Sequence, residues 1–212
     1  MNHLFYLKKT KSACLFSAFF SLFSLVSFSQ EKQQDTTKVN QLDEVLVSAV
    51  RVTTKTPVSF SNLDKKEIKY RNLGQDIPVL MNFLPSVVTT SDAGNGMGYT
   101  GIRVRGSDAT RVNVTINGIP YNDSESHGTY WVNMPDFASS LESIQLQRGV
   151  GTSTNGAGAF GASLNMLTES YSKKASGEIS SSFGSFNSNK NTVKFSTGLM
   201  NDHFEIAGRL SS

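Results

Sequence analysis

Short segments in which apolar and polar residues alternate recur along most of this chain, and glycine- and asparagine-rich turns separate them. A period of two residues is typical of a β-strand with one buried face. The pattern predicts strands at 85–89, 101–106, 111–117 and 143–147, and three later antiparallel strands at 176–183, 191–199 and 203–212. In the strand at 143–147, Ile144 and Leu146 alternate with polar residues, so we expect it to be half-buried.

Two segments between the strands favour short helices. Residues 62–68 carry Asn62 or Asp64 as a possible N-cap, with Glu67 in the first turn. Residues 75–84 carry Pro78 in their first turn, where proline is tolerated. A helical turn capped by Asp136 is predicted just before the strand at 143–147. Strands mixed with short helices predict an α+β domain over residues 50–168, with a small mixed sheet built from the strands of Ser86, Ile102, Val112 and Ile144.

A glycine-rich run follows the strand at 143–147. Gly156, Gly158 and Gly161 have the G-x-G-x-x-G spacing that can mark a dinucleotide site, and Glu178 lies farther on. Such a site needs a strand that runs directly into the first glycine and a helix that opens at the last one. Neither pattern is present, and no Lys-Ser/Thr follows the glycines as a P-loop requires. The run is therefore interpreted as a structural turn.

The N-terminus has the pattern of a secretory signal peptide. A basic region with Lys8, Lys9 and Lys11 precedes an uncharged apolar run over 12–28, and small residues precede Gln30. The alternative, an uncleaved membrane anchor, is disfavoured because the run is short for a spanning helix. Cleavage after residue 29 would remove Cys14, the only cysteine, and with it any disulfide or thiolate site.

The net charge and the hydrophobic content limit the classes of partner and the size of the core. The formal charge of the chain is +3, but the leader lysines account for it, so the remaining chain is close to neutral. No basic surface indicates a nucleic-acid partner. Hydrophobic residues at 38% and charged residues at 17% are enough for folding but low for a large core.

A polar segment over 30–42 without periodicity is predicted to be a flexible tether. Asp43, Glu44, Val45, Leu46, Val47, Ser48 and Ala49 follow it. This β-branched run flanked by acids favours an extended backbone. It is either an ordinary first strand or an unpaired strand offered to a partner sheet.

Several of these segments resemble the TonB-dependent outer-membrane receptors. Residues 43–49, DEVLVSA, resemble the TonB box, and IRVRG at 102–106 and NGIP at 117–120 resemble plug motifs. LESIQLQRGVGTSTNGAGAFGASLNML at 141–167 resembles the end of the plug, although Val150 and Asn155 depart from the usual proline and tyrosine. Asn117 likewise replaces the usual aspartate. The resemblance covers about Leu42 to Ser212.

The resemblance implies an α+β plug domain followed by the first antiparallel strands of an incomplete transmembrane β-barrel. The implied organisation is a signal peptide at 1–29, a tether at 30–42, a TonB box at 43–49, a plug at 50–168 and barrel strands at 169–212. The chain is expected to be the N-terminal fragment of a longer protein, because three strands cannot close a barrel. The implied function is energised import of a scarce ligand, most simply a ferric siderophore or citrate complex, across the outer membrane.

The resemblance also implies partners and sites. The partners would be the periplasmic TonB C-terminal domain, outer-membrane lipid and an extracellular small molecule, with a monomeric full-length receptor, no enzymatic activity, no bound cofactor and no dedicated metal site. Arg103, Arg105 and Arg148 would pair with barrel carboxylates and hold the plug closed. The ligand-facing loops would present Asn95, Met97, Tyr99, Tyr121, Glu125, His127, Tyr130 and Trp131.

Three alternatives remain open at this point. Asp123, Glu125 and His127 alternate in a loop and could form a metal site, although three candidate ligands in a loop are weak evidence. The alternating strands alone would also suit a secreted β-rich adhesion or structural protein. An extracytoplasmic enzyme ranks third, because His127 lies in a loop and no G-x-S-x-G is present to suggest a hydrolytic triad.

Overall fold

The computed structural model describes residues 51–156, 158–185 and 187–212. The predicted signal peptide, tether and TonB box lie outside the described residues. Within the described ranges, no helix is long and apolar enough to cross a membrane.

The described part of the chain contains short strands and two short α-helices. The helices are α1 Lys65–Arg71 and α2 Ile77–Leu80. The strands are β1 Ser59–Asp64, β2 Val87–Ser91, β3 Thr100–Val104, β4 Val112–Ile116, β5 Ile119–Pro120, β6 Leu141–Arg148, β7 Ala162–Thr168, β8 Ser176–Phe183, β9 Asn189–Ser196 and β10 Ala207–Ser211.

A five-stranded mixed sheet in the order β1-β6-β7-β4-β5 forms the centre of the α+β domain predicted over residues 50–168. The pair β4–β7 is parallel and the other pairs are antiparallel. β4 and β5 are joined by Asn117 and Gly118, whose φ angles of 51° and 81° suit a two-residue hairpin turn. The turn predicted at these residues is confirmed.

The predicted grouping of strands is wrong in one respect. β2 and β3, which carry Ser86 and Ile102 in or beside them, form a separate two-stranded sheet and do not join β4 and β6. The backbone turns sharply after β3, where Arg105 and Gly106 have φ angles of 51° and 80°. This turn ends the β3 ladder before the chain reaches β4, so the two sheets stay separate.

The helices follow their local signals. Asp64 caps α1: its side chain accepts a hydrogen bond from the Glu67 N–H, and the Glu67 carboxylate accepts one from the Asp64 N–H in return. α2 is shorter than predicted: it ends at Leu80, and the chain continues in turns up to Pro85.

Both faces of β6 are buried, so the expectation of a half-buried strand is wrong. Gln145 and Gln147 are as inaccessible as Ile144 and Leu146. The apolar face packs in the main core, while the second face is covered by the chain at Val52 and at Asn155. The core contains Leu63, Ile68, Ile77, Leu80, Met81, Val87, Ile102, Val104, Val112, Val114, Trp131, Ala138, Leu141, Ile144, Leu146, Ala162, Leu164 and Met166.

The last described segment is a three-stranded antiparallel sheet in the order β10-β9-β8, which we call the strand sheet. Its two faces differ in chemistry. One face carries apolar side chains that are largely exposed: Ile179, Phe183, Val193, Phe195 and Leu210. The other face carries polar side chains that contact the preceding domain: Glu178, Lys190, Lys194, Arg209 and Ser211.

Candidate functional site

The glycine-rich loop 92–99 joins β2 to β3 and is stabilised by its own polar groups. The Gly96 N–H donates to Oγ of Ser91 at 3.1 Å, and the Met97 N–H donates to Oδ1 of Asn95 at 3.0 Å. Gly96 is buried against α2, where a Cβ atom would lie 3.2 Å from Val79 Cγ2. Asn95, Met97 and Tyr99 remain exposed, so the loop presents an amide, a thioether and an aromatic ring to solvent.

A second loop, over 121–135, is held to β4 by the Tyr121 N–H, which donates to the Val114 carbonyl at 2.8 Å, and by the Asn122 side chain. Oδ1 of Asn122 accepts a hydrogen bond from the Val114 N–H at 2.7 Å, and Nδ2 donates to the Val112 carbonyl at 2.9 Å. The Asn122 side chain therefore pairs with the edge of β4 as a neighbouring strand would. Sequence analysis missed this role, because its partners lie eight and ten residues away.

The tip of this loop is a turn organised by Asp123. Its Oδ2 accepts hydrogen bonds from Ser126 N and Oγ, both at 2.7 Å, and from Glu125 N at 3.2 Å. The hydrogen bond from the Ser126 N–H is the main reason that the pKa of the Asp123 carboxyl is lowered. The carboxylate thus stabilises the turn, and no group of three or more His, Cys, Asp or Glu side chains in the described ranges could hold a metal ion.

The structure separates the aromatic residues of the loop 121–135. Tyr121, Glu125, His127 and Tyr130 are exposed. Trp131, in contrast, is only 3% exposed and belongs to the core, so its predicted position on a ligand-facing surface is wrong. A large aromatic ring gains more by packing in the core than by facing water. The helical turn that begins at Trp131 lies beside β3. Because β3 directly follows loop 92–99, this turn brings the two loops to the same strand.

The three arginines predicted to pair with barrel carboxylates occupy different environments in the structure. Arg148 lies on β6 and donates across to β1, to Ser61 Oγ at 2.7 Å and Ser59 Oγ at 3.1 Å. Desolvation, and secondarily the nearby Arg105 charge, lower the pKa of Arg148. Arg103 is exposed on β3, but Arg105 lies in the turn after β3, so the two do not share a strand face. None of the three forms an ion pair with the described residues.

Gln145 connects the second face of β6 to the beginning of the described chain. Its Oε1 accepts from the Val52 N–H at 2.8 Å, and its Nε2 donates to the Val52 carbonyl at 3.0 Å and to Asn62 Oδ1 at 2.9 Å. Arg51 adds a 2.7 Å hydrogen bond to Ser143 Oγ. The chain just after the predicted TonB box is therefore fixed to the central sheet by a buried amide. The alternating pattern gave no signal for this contact.

Asp136 also departs from its predicted role. A helical turn does begin after it, at Phe137–Ser140, but its side chain makes no capping hydrogen bond to the backbone there. The carboxylate instead contacts Lys190 and Arg209 on the strand sheet. These partners lie far along the chain, so no local pattern could have indicated them.

Comparison with known proteins agrees with this architecture. The model of the TonB-dependent receptor plug domain matches residues 52–163, just over half of the chain. No curated protein gives a significant match.

Solved structures with the same fold include outer-membrane receptors. The ferripyoverdine receptor of Pseudomonas aeruginosa is 15% identical over 74% of this chain and 20% of its own, with a TM-score of 0.58. The ferric yersiniabactin uptake receptor FyuA from Yersinia pestis is 19% identical over 73% and 23%, with a TM-score of 0.53. The alcaligin outer-membrane receptor FauA from Bordetella pertussis is 16% identical over 74% and 27%, with a TM-score of 0.54. This chain thus spans about a quarter of the length of these structures.

Proposed function

This chain belongs to the TonB-dependent receptor plug domain family, and from that premise we propose that it provides the plug and the first membrane strands of an outer-membrane receptor. The receptor imports a scarce ligand by using force delivered through TonB. It acts by binding and conformational change, and it catalyses no covalent reaction.

The observation that carries this proposal is the two-faced strand sheet beside the plug. Ile179 is 81% exposed and Leu210 is 76% exposed on one face, while the opposite face is polar and contacts the plug. A soluble protein seldom exposes a continuous apolar face of this kind. Membrane-barrel strands alternate in this way, with apolar residues toward lipid and polar residues toward the lumen. The apolar face therefore supports outer-membrane lipid as a partner.

We propose a ferric chelate, such as a siderophore or citrate complex, as the ligand. Several structures of the same fold are receptors for ferric siderophores. The exposed side chains of loop 92–99 and of residues 121–130 mix aromatic rings with amide and acidic groups, which suits a polar, partly aromatic chelate. These loops would face the outside, and the ferric complex would be cargo.

We propose that residues 43–49 form the TonB box. This segment would add as a strand to the edge of the TonB C-terminal domain in the periplasm, with main-chain hydrogen bonds providing the affinity. Ligand binding would shift the population of plug states toward one in which the box is accessible. Arg103, Arg105 and Arg148 would hold the closed state by pairing with carboxylates elsewhere in the receptor.

The box is tested by Leu46→Pro in the complete receptor. Proline removes a backbone donor and fixes φ, so strand addition to TonB should fail. We expect uptake of radiolabelled ferric citrate or ferric siderophore to be abolished while binding at the cell surface is retained. Val47→Ala is the matched control and should be mild, because the backbone provides most of the contact. Uptake that survives Leu46→Pro, or binding lost together with uptake, would show that residues 43–49 are an ordinary structural strand.

A further inference from the structure

The Asp136 carboxylate pairs with two cations from the strand sheet. Lys190 Nζ on β9 lies 2.6 Å from Oδ1, and Arg209 Nη1 on β10 lies 2.7 Å from Oδ2. Arg209 Nη1 also donates to the Asp136 backbone carbonyl at 2.7 Å. The side chains of Asp136 and Lys190 are each 13% exposed, and that of Arg209 is 23% exposed. This is a largely desolvated ion cluster, which we call the fastening cluster.

Neutral donors complete the coordination of the carboxylate. Ser139 Oγ lies 2.6 Å from Oδ1 and Asn72 Nδ2 lies 3.3 Å from it, while the Ser211 hydroxyl donates to Oδ2. Asn72 follows α1 and Ser139 lies in the helical turn before β6, so both belong to the plug. The carboxylate therefore joins two plug elements to two strands of the strand sheet.

The backbone at Asp136 fits this role. Its φ of 49° and ψ of 27° lie in the left-handed region, which residues other than glycine seldom adopt. Such a conformation persists where surrounding contacts determine it. Here the hydrogen bonds and ion pairs of both carboxylate oxygens and of the carbonyl oxygen hold the left-handed backbone of Asp136 in place. The side chain does not do so by capping the helical turn, because it makes no capping hydrogen bond.

A second contact between plug and strand sheet has the same polarity. Glu169, just after β7, pairs with Lys194 on β9 and lies 3.2 Å from Lys65 on α1. At both contacts the plug supplies the anion and the strands supply the cation. The reverse pair, Lys69 with Glu178 at 2.7 Å, has side chains that are 65% and 45% exposed, and exposed pairs contribute little.

We propose that Asp136 is the residue that fastens the plug to the first strands, and that the fastening cluster must separate before the plug can move against them. The inference that such movement accompanies transport rests on the proposed function. In the fastening cluster the plug supplies the anion, whereas in the contact proposed for Arg103, Arg105 and Arg148 the plug supplies the cations. Two contacts of opposite sign favour one seating of the plug, because a rotated plug would bring like charges together.

The test is Asp136→Asn in the complete protein, purified in detergent, with hydrogen exchange followed by mass spectrometry. Asparagine keeps the size and one acceptor but removes the charge, so Lys190 and Arg209 are left poorly paired, which is strongly unfavourable. We expect exchange in residues 137–140 and in β10 to become about tenfold faster or more, since exchange there reports local opening. Exchange in β7, inside the plug sheet, should be unchanged.

Asp108→Asn is the matched control. Asp108 receives local hydrogen bonds from Thr110 and lies 3.9 Å from Arg111 Nε, so its loss should not alter exchange in β10. A double-mutant cycle of Asp136→Asn with Lys190→Gln gives a second measure. The double variant should exchange more slowly than the sum of the two single effects predicts, because Arg209 is then the one cation of the cluster that faces a neutral partner, whereas Asp136→Asn alone leaves two.

Unchanged exchange in β10 after Asp136→Asn, or fully additive effects in the cycle, would overturn the proposal. If Asp136→Asn does not fold, Arg209→Gln and Lys190→Gln probe the cluster from the strand side with the same expected result. The exchange experiment needs neither ligand nor TonB. If the receptor proved not to import the ligand, the exchange result would still hold. If exchange in β10 proved unchanged, the uptake experiment would still test the proposed function.

Discussion

At the scale of single residues, two amide side chains form hydrogen bonds that the backbone of a neighbouring strand would otherwise form. The Gln145 amide gives Val52 the pair of hydrogen bonds that a neighbouring strand would provide, and Asn122 does the same for the edge of β4. A buried backbone group without a partner is costly. These side chains therefore determine where the loops and the N-terminal segment lie.

Replacing Gln145 with leucine tests whether this side chain determines where the N-terminal segment lies. Leucine fills similar volume but leaves the Val52 N–H and carbonyl without their partners, so we expect a loss of about 1–3 kcal/mol in the free energy of unfolding. Denaturant titration measures the loss, and hydrogen exchange should rise in residues 51–58. Asn82→Leu, at an exposed amide, should change neither quantity. Wild-type protection of residues 51–58 in Gln145→Leu would contradict the role.

Local signals predicted some residues well and others poorly. The Asn117–Gly118 turn and the Asp64 cap depend on neighbours within a few positions, and both are confirmed. Trp131, Asp136 and Gln145 depend on partners that are distant in sequence. A polar residue on an alternating strand predicts a solvated face, and only tertiary packing shows that Gln145 is covered.

At the scale of elements, glycine sets how closely neighbouring segments can approach. A Cβ atom on Gly161 would lie 2.5 Å from Ser107 Cβ and 3.0 Å from the Arg111 carbonyl oxygen. The Gly161 N–H donates to that same oxygen at 2.8 Å. This contact lies directly before the parallel pair of β4 and β7. In the glycine run predicted to be a structural turn, Gly161 thus allows two segments of backbone to approach closely.

Gly161→Ala should therefore destabilise the plug. The backbone of Arg111 cannot move aside cheaply, so we expect a loss of about 1–3 kcal/mol, typical of overpacking, measured by denaturant titration. Gly158→Ala is the matched control, since a Cβ atom there meets nothing within 4 Å. It should be neutral or slightly stabilising. Equal stability of the two variants would show that the segments at 107–111 and 161 adjust freely.

The strands themselves were predictable, but their partners were less so. Alternation located β8 within its observed bounds and placed Ile102 and Val104 on a buried face. It could not assign β2 and β3 to a separate sheet, because a period of two is the same whichever strand lies alongside. Sheet membership depends on where the chain turns, and the left-handed turn at Arg105 has no strong sequence signal.

At the scale of the whole molecule, the contact between plug and strand sheet depends on ionised carboxylates. Burial tends to raise the pKa of Asp136, but hydrogen bonds from Lys190, Ser139 and Ser211 outweigh it and lower that pKa below 3.8. For Glu169, burial is likewise outweighed by Lys194 and Lys65, which lower its pKa below 4.5. A lowered pKa in the folded state means that the unfolded state binds protons first as the pH falls.

The contact should therefore be at full strength at neutral pH and weaken in acid. We expect the stabilisation to be present above about pH 5 and to be lost progressively as the pH falls below about 4. Hydrogen exchange in β9 and β10, corrected for the intrinsic pH dependence, measures it. The variant that combines Asp136→Asn with Glu169→Gln should lack this acid transition. An identical transition in that variant would assign it to other groups.

The position of β1 at the edge of the central sheet has a mechanical consequence. Among the described residues β1 pairs with β6 alone, from Ser59 opposite Arg148 to Asp64 opposite Ser143. Tension that enters the chain ahead of residue 51 meets the hydrogen bonds between Val52 and Gln145 first and then reaches β1. An edge strand can detach without opening another ladder. The pairs among β6, β7, β4 and β5 would still be intact after that first yield. Under such tension the plug would therefore yield in steps: the contacts of Val52 and the β1–β6 ladder would open first, and the other strands of the sheet would keep their pairing.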